Sequence, residues 1–371
     1  MMHSQNAGSL DTVEPQDADY SYVPSLSDDL ALLILARVPL SEHAKLCFVN
    51  QRYLSLLRNG ELYKIRKEMG IREPSVFLLA SGESRWRALD PRLGSCRDLP
   101  ELPSDWCFTS GDKESFCVGT HLLVSGRELE GLVIWRYELL ANRWFRGPPM
   151  IGPRCLFASA SCGDFACVAG GIRSEGLRAI EVLNSAEKYN PHTRSWELLP
   201  NMLRQRKMCS GCYMDGKFYV IGGVDERNRD LTCGEFYDME RNVWDLVPDM
   251  INVTPGFARS PPLVAVVNNE LYLLDAPSNQ LKVYLKGSNS WRELGPVPVR
   301  ADDRGGWGVA FKSLGNELLV MGSAQNAPGI RVMTICTCCP NPGSNNLQWQ
   351  VRRSNGHHSS PFVFNCSVMV A

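Results

Sequence analysis

The feature that most constrains this chain is a repeat. Two short apolar strands, "FACVAGG" (165–171) and "KFYVIGG" (217–223), each end on a glycine pair, and the pairs lie 52 residues apart. Glycine reaches backbone conformations closed to other residues and lets another backbone come close. One pair would mark a turn, but two at a fixed period mark a repeat. Each pair is followed by a tyrosine and, seven residues later, a tryptophan: Tyr189 and Trp196, then Tyr237 and Trp244. The same gap separates Tyr137 from Trp144 and Tyr284 from Trp291. Four residues past the tryptophan stands proline in three units (Pro148, Pro200, Pro248) and Gly295 in the fourth.

Two weaker units extend the series. Leu89, Cys96 and Pro100 keep the offsets without the aromatics, and a last unit ends at Trp349 after "ELLVMGS" (317–323). The anchors at 96, 144, 196, 244, 291 and 349 are therefore separated by 48, 52, 48, 47 and 58 residues. Every unit reads as short strands broken by turns, which excludes a helical solenoid. Four strands in about 50 residues is the size of one propeller blade. The first unit enters directly at "VFLLASG" (76–82) and lacks a preceding strand, whereas the chain ends on "FVFNCSVMV" (362–370), a strand with no blade of its own. Joining the two would complete six blades and remove the open sheet edges.

The succession of Gly-Gly, Tyr and Trp resembles the kelch repeat over residues 76 to 370. That resemblance implies glycines after a blade's second strand, with the tyrosine and tryptophan on its third and fourth strands, packed between blades. Large aromatics bury much apolar area and still satisfy one polar tip, which suits such a place. Only two units keep both glycines. The others read Ser81-Gly82, Ser125-Gly126, Asp275-Ala276 and Gly322-Ser323.

Composition narrows the partners. The net charge of −1 gives no general attraction to nucleic acid or anionic membrane. The longest apolar run is seven residues, Leu30 to Ala36, far short of the ~20 that span a bilayer. Residues 1–22 hold four acids (Asp11, Glu14, Asp17, Asp19) and no Lys or Arg, which reads as a disordered tail and not as a secretory or transit signal. With no sign of secretion, the fourteen cysteines are expected to be free thiols. "CSGC" (209–212) lies at a strand, where residues three apart point to opposite faces, so buried thiols are expected there and not a redox or zinc pair. "CTCC" (336–339) occupies what reads as an insertion in the last unit, with His357 and His358 downstream, and its spacing matches no common zinc pattern. No metal or other cofactor is expected.

The segment before the repeats is helical in pattern. In "SLSDDLALLILARVP" (25–39), Asp28 and Asp29 suit a helix start, where negative charge meets the positive end of the dipole. Leu30, Leu33, Ile34 and Val38 form one face, while Leu32 and Leu35 make the other side apolar too. A helix apolar all round is expected to be buried all round. In "SEHAKLCFVNQRYLSLLRNGEL" (41–62), Val49, Tyr53, Leu56 and Leu57 form a second stripe. So small a helical unit rarely builds enough core alone and should expose apolar surface for a partner.

This segment resembles the F-box, through Leu26, Asp28, Asp29, Leu30, Ile34, Leu35, Arg37, Val38, Pro39, Val49, Tyr53, Leu56 and Leu57. Ser27 stands in place of the usual proline, and Tyr53 in place of the usual tryptophan. An F-box followed by kelch repeats is the arrangement of the plant F-box/kelch-repeat family. "RKMCSGCYMDGKFYVIGG", "LTCGEFYD", "PPLVAVVNNELY" and "FNCSVMV" look like its signatures in order. The fold class expected is therefore mainly β: a six-bladed kelch β-propeller (71–371) preceded by a small all-α F-box (23–70) and a tail (1–22).

The resemblance implies a substrate-recognition subunit of a Skp–cullin–F-box ubiquitin ligase, intracellular, in nucleus or cytoplasm or both. The F-box would bind the Skp-type adaptor, and through it cullin and the RING subunit, with Leu26, Leu30, Leu33, Ile34, Val38, Pro39 and Leu46 as the candidate contacts. The propeller would bind an unidentified protein substrate, with Arg154, Arg206 and Arg304, each ahead of an inner strand, as candidate contacts to acidic groups near the mouth of the central channel. Alternatively these arginines pair with neighbouring loop acids, and recognition falls to loops at Glu226 to Arg229 and Ala324 to Arg331. No residue need do chemistry, because the contribution is proximity between target lysine and activated ubiquitin. Two rival classes stand beside this one. A kelch-type copper oxidase would need convergent His and Tyr ligands, and His121, His192, His357 and His358 recur at no common place in the repeat. A kelch scaffold without ligase coupling would differ in failing to co-purify with adaptor and cullin.

Overall fold

The computed structural model describes residues 21–46, 48–90, 92–94, 96–173, 180–251, 260–301, 304–327, 330–344, 346–354 and 360–371. The chain divides into two compact units, with the boundary between Ile71 and Arg72.

Among the described residues the first unit holds four helices: α1 (Asp28–Leu35), α2 (Leu40–Leu46), α3 (Gln51–Arg58) and α4 (Glu61–Glu68). Ser27 caps α1 by accepting from the Leu30 amide, and Asp28 and Asp29 fill its first turn. Asn50 caps α3 in the same way through the Tyr53 amide. The core is Leu35, Ala36, Leu56, Leu57 and Leu62, with Leu32, Val38, Leu46 and Tyr53 packed against it. Arg66 on α4 is fully buried and donates to the carbonyls of Ala36 (2.7 Å) and Val38 (2.8 Å). Those carbonyls follow the end of α1 and have no intrahelical partner, so the guanidinium serves as the cap that a C-terminal glycine would otherwise supply.

The second unit is six four-stranded antiparallel sheets, the blades of a propeller. The first blade is strands Pro74–Ala80, Arg87–Leu89 and Cys96–Asp98, completed by the last strand of the chain, Val363–Val370. The register runs from Pro74 opposite Val370 to Ala80 opposite Val363, so the chain's end supplies the missing inner strand. The other inner strands are Lys113–Val118, Ala158–Ser161, Ser210–Met214, Leu263–Val267 and Ala310–Leu314. Between its second and third strands blade three carries a small extra antiparallel pair, Ile172–Arg173 with Glu181–Val182.

The repeat residues explain how blades join. Tyr189 lies directly opposite Trp196 on the third and fourth strands, and Tyr137–Trp144, Tyr237–Trp244 and Tyr284–Trp291 do the same. Each tryptophan donates its indole Nε1–H to a carbonyl of the preceding blade's exit: Trp144 to Pro100 (2.8 Å), Trp196 to Pro148 (3.1 Å), Trp244 to Pro200 (2.7 Å) and Trp291 to Met250 (2.7 Å). In three of the units the tyrosine hydroxyl donates to an asparagine five residues on, at 2.6–2.7 Å. These asparagines, Asn142, Asn242 and Asn289, hold the left-handed position of the turn before the outer strand.

The glycine pairs have a steric cause. Gly170 and Gly223 have positive φ (+68° and +87°), and a Cβ at either would lie 2.5 Å from a backbone oxygen, of Arg206 and of Lys207. A strand can end so close to the backbone entering an inner strand, the next blade's at Gly170 and its own blade's at Gly223, only if it has no side chain there.

Candidate functional site

Antiparallel alternation sorts the propeller's loops onto two rims. Connections between blades, and those between second and third strands, lie at the rim where the inner strands begin; the remaining turns lie at the opposite rim. The first rim surrounds a cavity of 350 Å³ at the mouth of the axial channel, lined from all six blades by residues including Lys113, Glu114, Leu156, Trp307, Phe362 and Phe364. Five large apolar side chains more than half exposed sit on connections at this rim: Trp106 at the start of a short helix (Trp106–Ser110), and Leu129, Ile151, Ile180 and Leu203 on loops. The opposite rim is made of turns such as Asp215–Gly216 and Asn268–Asn269, and the one large apolar side chain exposed to that degree near it, among the described residues, is Val351, at the start of the outer strand Gln350–Ser354. Such clustering of exposed apolar surface is what a docking face shows.

Charge in the mouth is perturbed. Desolvation pulls the Lys113 ammonium down to about 8. It donates to the carbonyls of Thr109 (3.0 Å) and Gly111 (2.7 Å) and stands 5.0 Å from the Phe364 ring. Desolvation also pushes the neighbouring Glu114 carboxyl up to about 7, although it accepts the Leu156 amide at 2.5 Å.

The arginines expected at the mouth divide. Arg154 and Arg206 are 1% and 0% exposed, and neither presents its guanidinium to a partner. Arg154 pairs with Glu187 at 2.5 Å and donates to the carbonyls of Gly170 and Ser185. Arg206 pairs with Glu235 at 2.5 Å and donates to the carbonyls of Gly222 and Cys233. Both glutamates accept backbone amides as well, Glu187 from Ile151 and Gly152, Glu235 from Leu203 and Arg204. The expectation that these two contact substrate is therefore corrected: they tie the glycine pair, the third strand and the incoming loop into one unit. The readable signal was the acid two residues before each repeat tyrosine, Glu187 before Tyr189 and Glu235 before Tyr237. Arg304 differs. It is exposed, lies 5.2 Å over the Phe362 ring, and its blade's third strand, Ile330–Cys338, contains no acid.

Of the alternative loops, Glu226 to Arg229 is a turn held by Asp225, which accepts the Arg227 and Arg229 amides and pairs with Arg229. Of Ala324 to Arg331, the described residues are not a free loop: 324–327 and 330–331 belong to the paired strands Glu317–Ala327 and Ile330–Cys338. Of the cysteines of "CTCC", Cys336 and Cys338 lie on that third strand and are buried, and Cys339 follows its end and is exposed; His357 and His358 lie outside the described residues. Cys209 packs between blades three and four, and Cys212 between four and five, on opposite faces. Among the described residues no three His, Cys, Asp or Glu converge as a metal site.

In the helical unit, the expectation of a first helix buried all round is also corrected. Ala31 and Leu35 face the core, while Leu30, Leu33 and Ile34 are 46%, 42% and 45% exposed. Phe48 and Val49, just before α3, are exposed too. Pro39 is exposed, Leu26 half-buried, and Val38 and Leu46 pack inward on the unit's own core. Val49 lies outside α3, so the second stripe keeps only Tyr53, Leu56 and Leu57 on the helix.

Fold and repeat together define a kelch β-propeller joined to a small helical unit. The family model for the Kelch motif matches residues 153–203 and 205–251, the two units that keep both glycines. The F-box/kelch-repeat protein At3g27150 of Arabidopsis thaliana is 49% identical over 365 residues, covering 97% of this chain and 86% of that protein. At1g26930 and SKIP11, F-box/kelch-repeat proteins of the same plant, are 39% and 38% identical, each over 94% of this chain and over 83% and 75% of their own lengths. The chain belongs to the F-box/kelch-repeat family. No helix among the described residues is long and apolar enough to cross a membrane.

Proposed function

We propose that this chain is a non-catalytic substrate-recognition subunit of an intracellular Skp–cullin–F-box ubiquitin ligase. The observation that carries the reading is the triplet Leu30, Leu33 and Ile34, nearly half exposed on a helix whose other face is core. Exposed leucines on a folded helix forgo roughly 25 cal/mol for each Å² left in water, so a partner that covers them gains that energy. Family membership supplies the partner's class, a Skp-type adaptor bridging to cullin and a RING subunit. The substrate would dock on the propeller rim around the channel mouth, where Trp106, Leu129, Ile151 and Leu203 are offered and Arg304 adds an exposed cation. The test is co-purification of the full chain with adaptor and cullin, with and without Leu30→Asp plus Leu33→Asp. Loss of both partners with an intact melting curve supports the reading. Unchanged capture by the variant would refute the Leu30–Leu33 face as the adaptor contact, and no capture by the parent would leave a scaffold without ligase coupling.

A further inference from the structure

The axial channel continues past its mouth into a second cavity of 240 Å³, and Ser115, Ser159, Gly211, Val264 and Lys312 line both halves. The chemistry of the second half differs from that of the mouth. Its walls carry hydroxyls from five inner strands, Ser115, Ser159 with Ser161, Tyr213, Ser313 and Ser367, and among the described residues no Asp or Glu lines it. Lys312 is half-buried there and has no carboxylate partner among the described residues. The Ser159 and Ser313 hydroxyls likewise have no hydrogen-bond partner among them, whereas Ser115 and Ser367 bond each other at 2.7 Å. An ammonium taken partly out of water needs a counter-charge or polar ligands, and the wall supplies neither acid nor ion pair.

We propose that this inner half of the channel binds a small tetrahedral oxyanion of the size of inorganic phosphate, with Lys312 as its charge partner and Ser159 and Ser313 as hydroxyl donors. Donors that converge from different blades suit an ion whose oxygens point in several directions, and a planar carboxylate would leave some of them unused. A bound ion would join inner strands of at least blades three and six across the channel. It would stabilise the folded ring by mass action, since the unfolded chain has no such site. The proposal is independent of what docks on the rim or on the helical unit.

The test uses the full chain and inorganic phosphate. Thermal unfolding is followed against phosphate at constant ionic strength made up with chloride, and against acetate as the planar control. The expected result is a saturating rise in Tm with phosphate in the parent, absent with acetate, lost in Lys312→Met and kept in Lys312→Arg. Should Lys312→Met not fold, Lys312→Gln makes the same comparison. A rise of equal size in the neutral variant, or one that never saturates, is the general exclusion effect of a kosmotropic salt and overturns the site. No rise beyond chloride, or an equal rise with acetate, overturns it too.

Discussion

Arg206 and Glu235 stand 2.5 Å apart with both side chains fully buried, one at the entry to the fourth blade and the other on that blade's third strand. Desolvation works against the guanidinium, but Glu235 and the nearby cysteines outweigh it and hold the Arg206 proton more firmly than usual. Arg206→Ala would leave a carboxylate buried without its cation, a change that costs about 3–5 kcal/mol. Replacing both residues by apolar ones of similar size should recover much of that loss. Denaturant unfolding of the two single variants and the double variant measures the coupling. A small loss from Arg206→Ala would show that the pair is not what holds the blade entry.

The helical unit separates docking from stability. Leu30 and Leu33 are half exposed, so aspartate at both should leave the unfolding free energy within about 1 kcal/mol while abolishing adaptor capture. Leu56 is 1% exposed, and Leu56→Ala should cost about 2–5 kcal/mol. If Leu30→Asp plus Leu33→Asp unfolds the unit as Leu56→Ala does, the exposed face is core and the docking assignment fails.

Ring closure rests on the last strand. Cys366 and Met369 of Val363–Val370 are buried, and the strand supplies the full inner edge of the first blade. Deleting residues 362–371 should bare that edge and give aggregation or rapid proteolysis. A soluble truncated chain with the parent's Tm would refute closure by this strand.

Two desolvated groups give opposite pH dependences. Glu114 rises from 4.5 to about 7 on folding, so between those values the folded chain holds a proton that the unfolded chain has released. Stability therefore falls as pH rises through this window, and Glu114→Gln should abolish that slope. His121 falls from 6.5 to about 4, through desolvation and the neighbouring Arg136 charge. Across that range the unfolded chain binds the proton first, so stability falls as pH drops, and His121→Gln should flatten that limb. Chemical unfolding at several pH values, one variant at a time, resolves the two. Parent-like slopes in both variants would rule these groups out as the source.

The sequence alone determined the count of blades, because the Tyr–Trp gap is a local, cross-strand relationship: Tyr237 and Trp244 meet through one tight turn, and the seven-residue spacing is the turn itself. It likewise determined the glycine pairs, since only glycine combines a positive φ with no Cβ to meet a neighbouring backbone, and the place of the last strand, since one strand was missing at the start and one was left over at the end. The fate of the arginines was decided only by tertiary structure. Arg154, Arg206 and Arg304 look alike in sequence, each just ahead of an inner strand. Whether each is buried depends on an acid contributed from a distant strand, Glu187 for Arg154 and Glu235 for Arg206, and on none for Arg304. The two sides of α1 divide for the same reason: Leu35 and Leu33 are chemically identical, and the packing of Leu56 and Leu57 selects which of them leaves water. Hydrophobic pattern states which residues favour burial, but which ones achieve it depends on partners that chain position does not reveal.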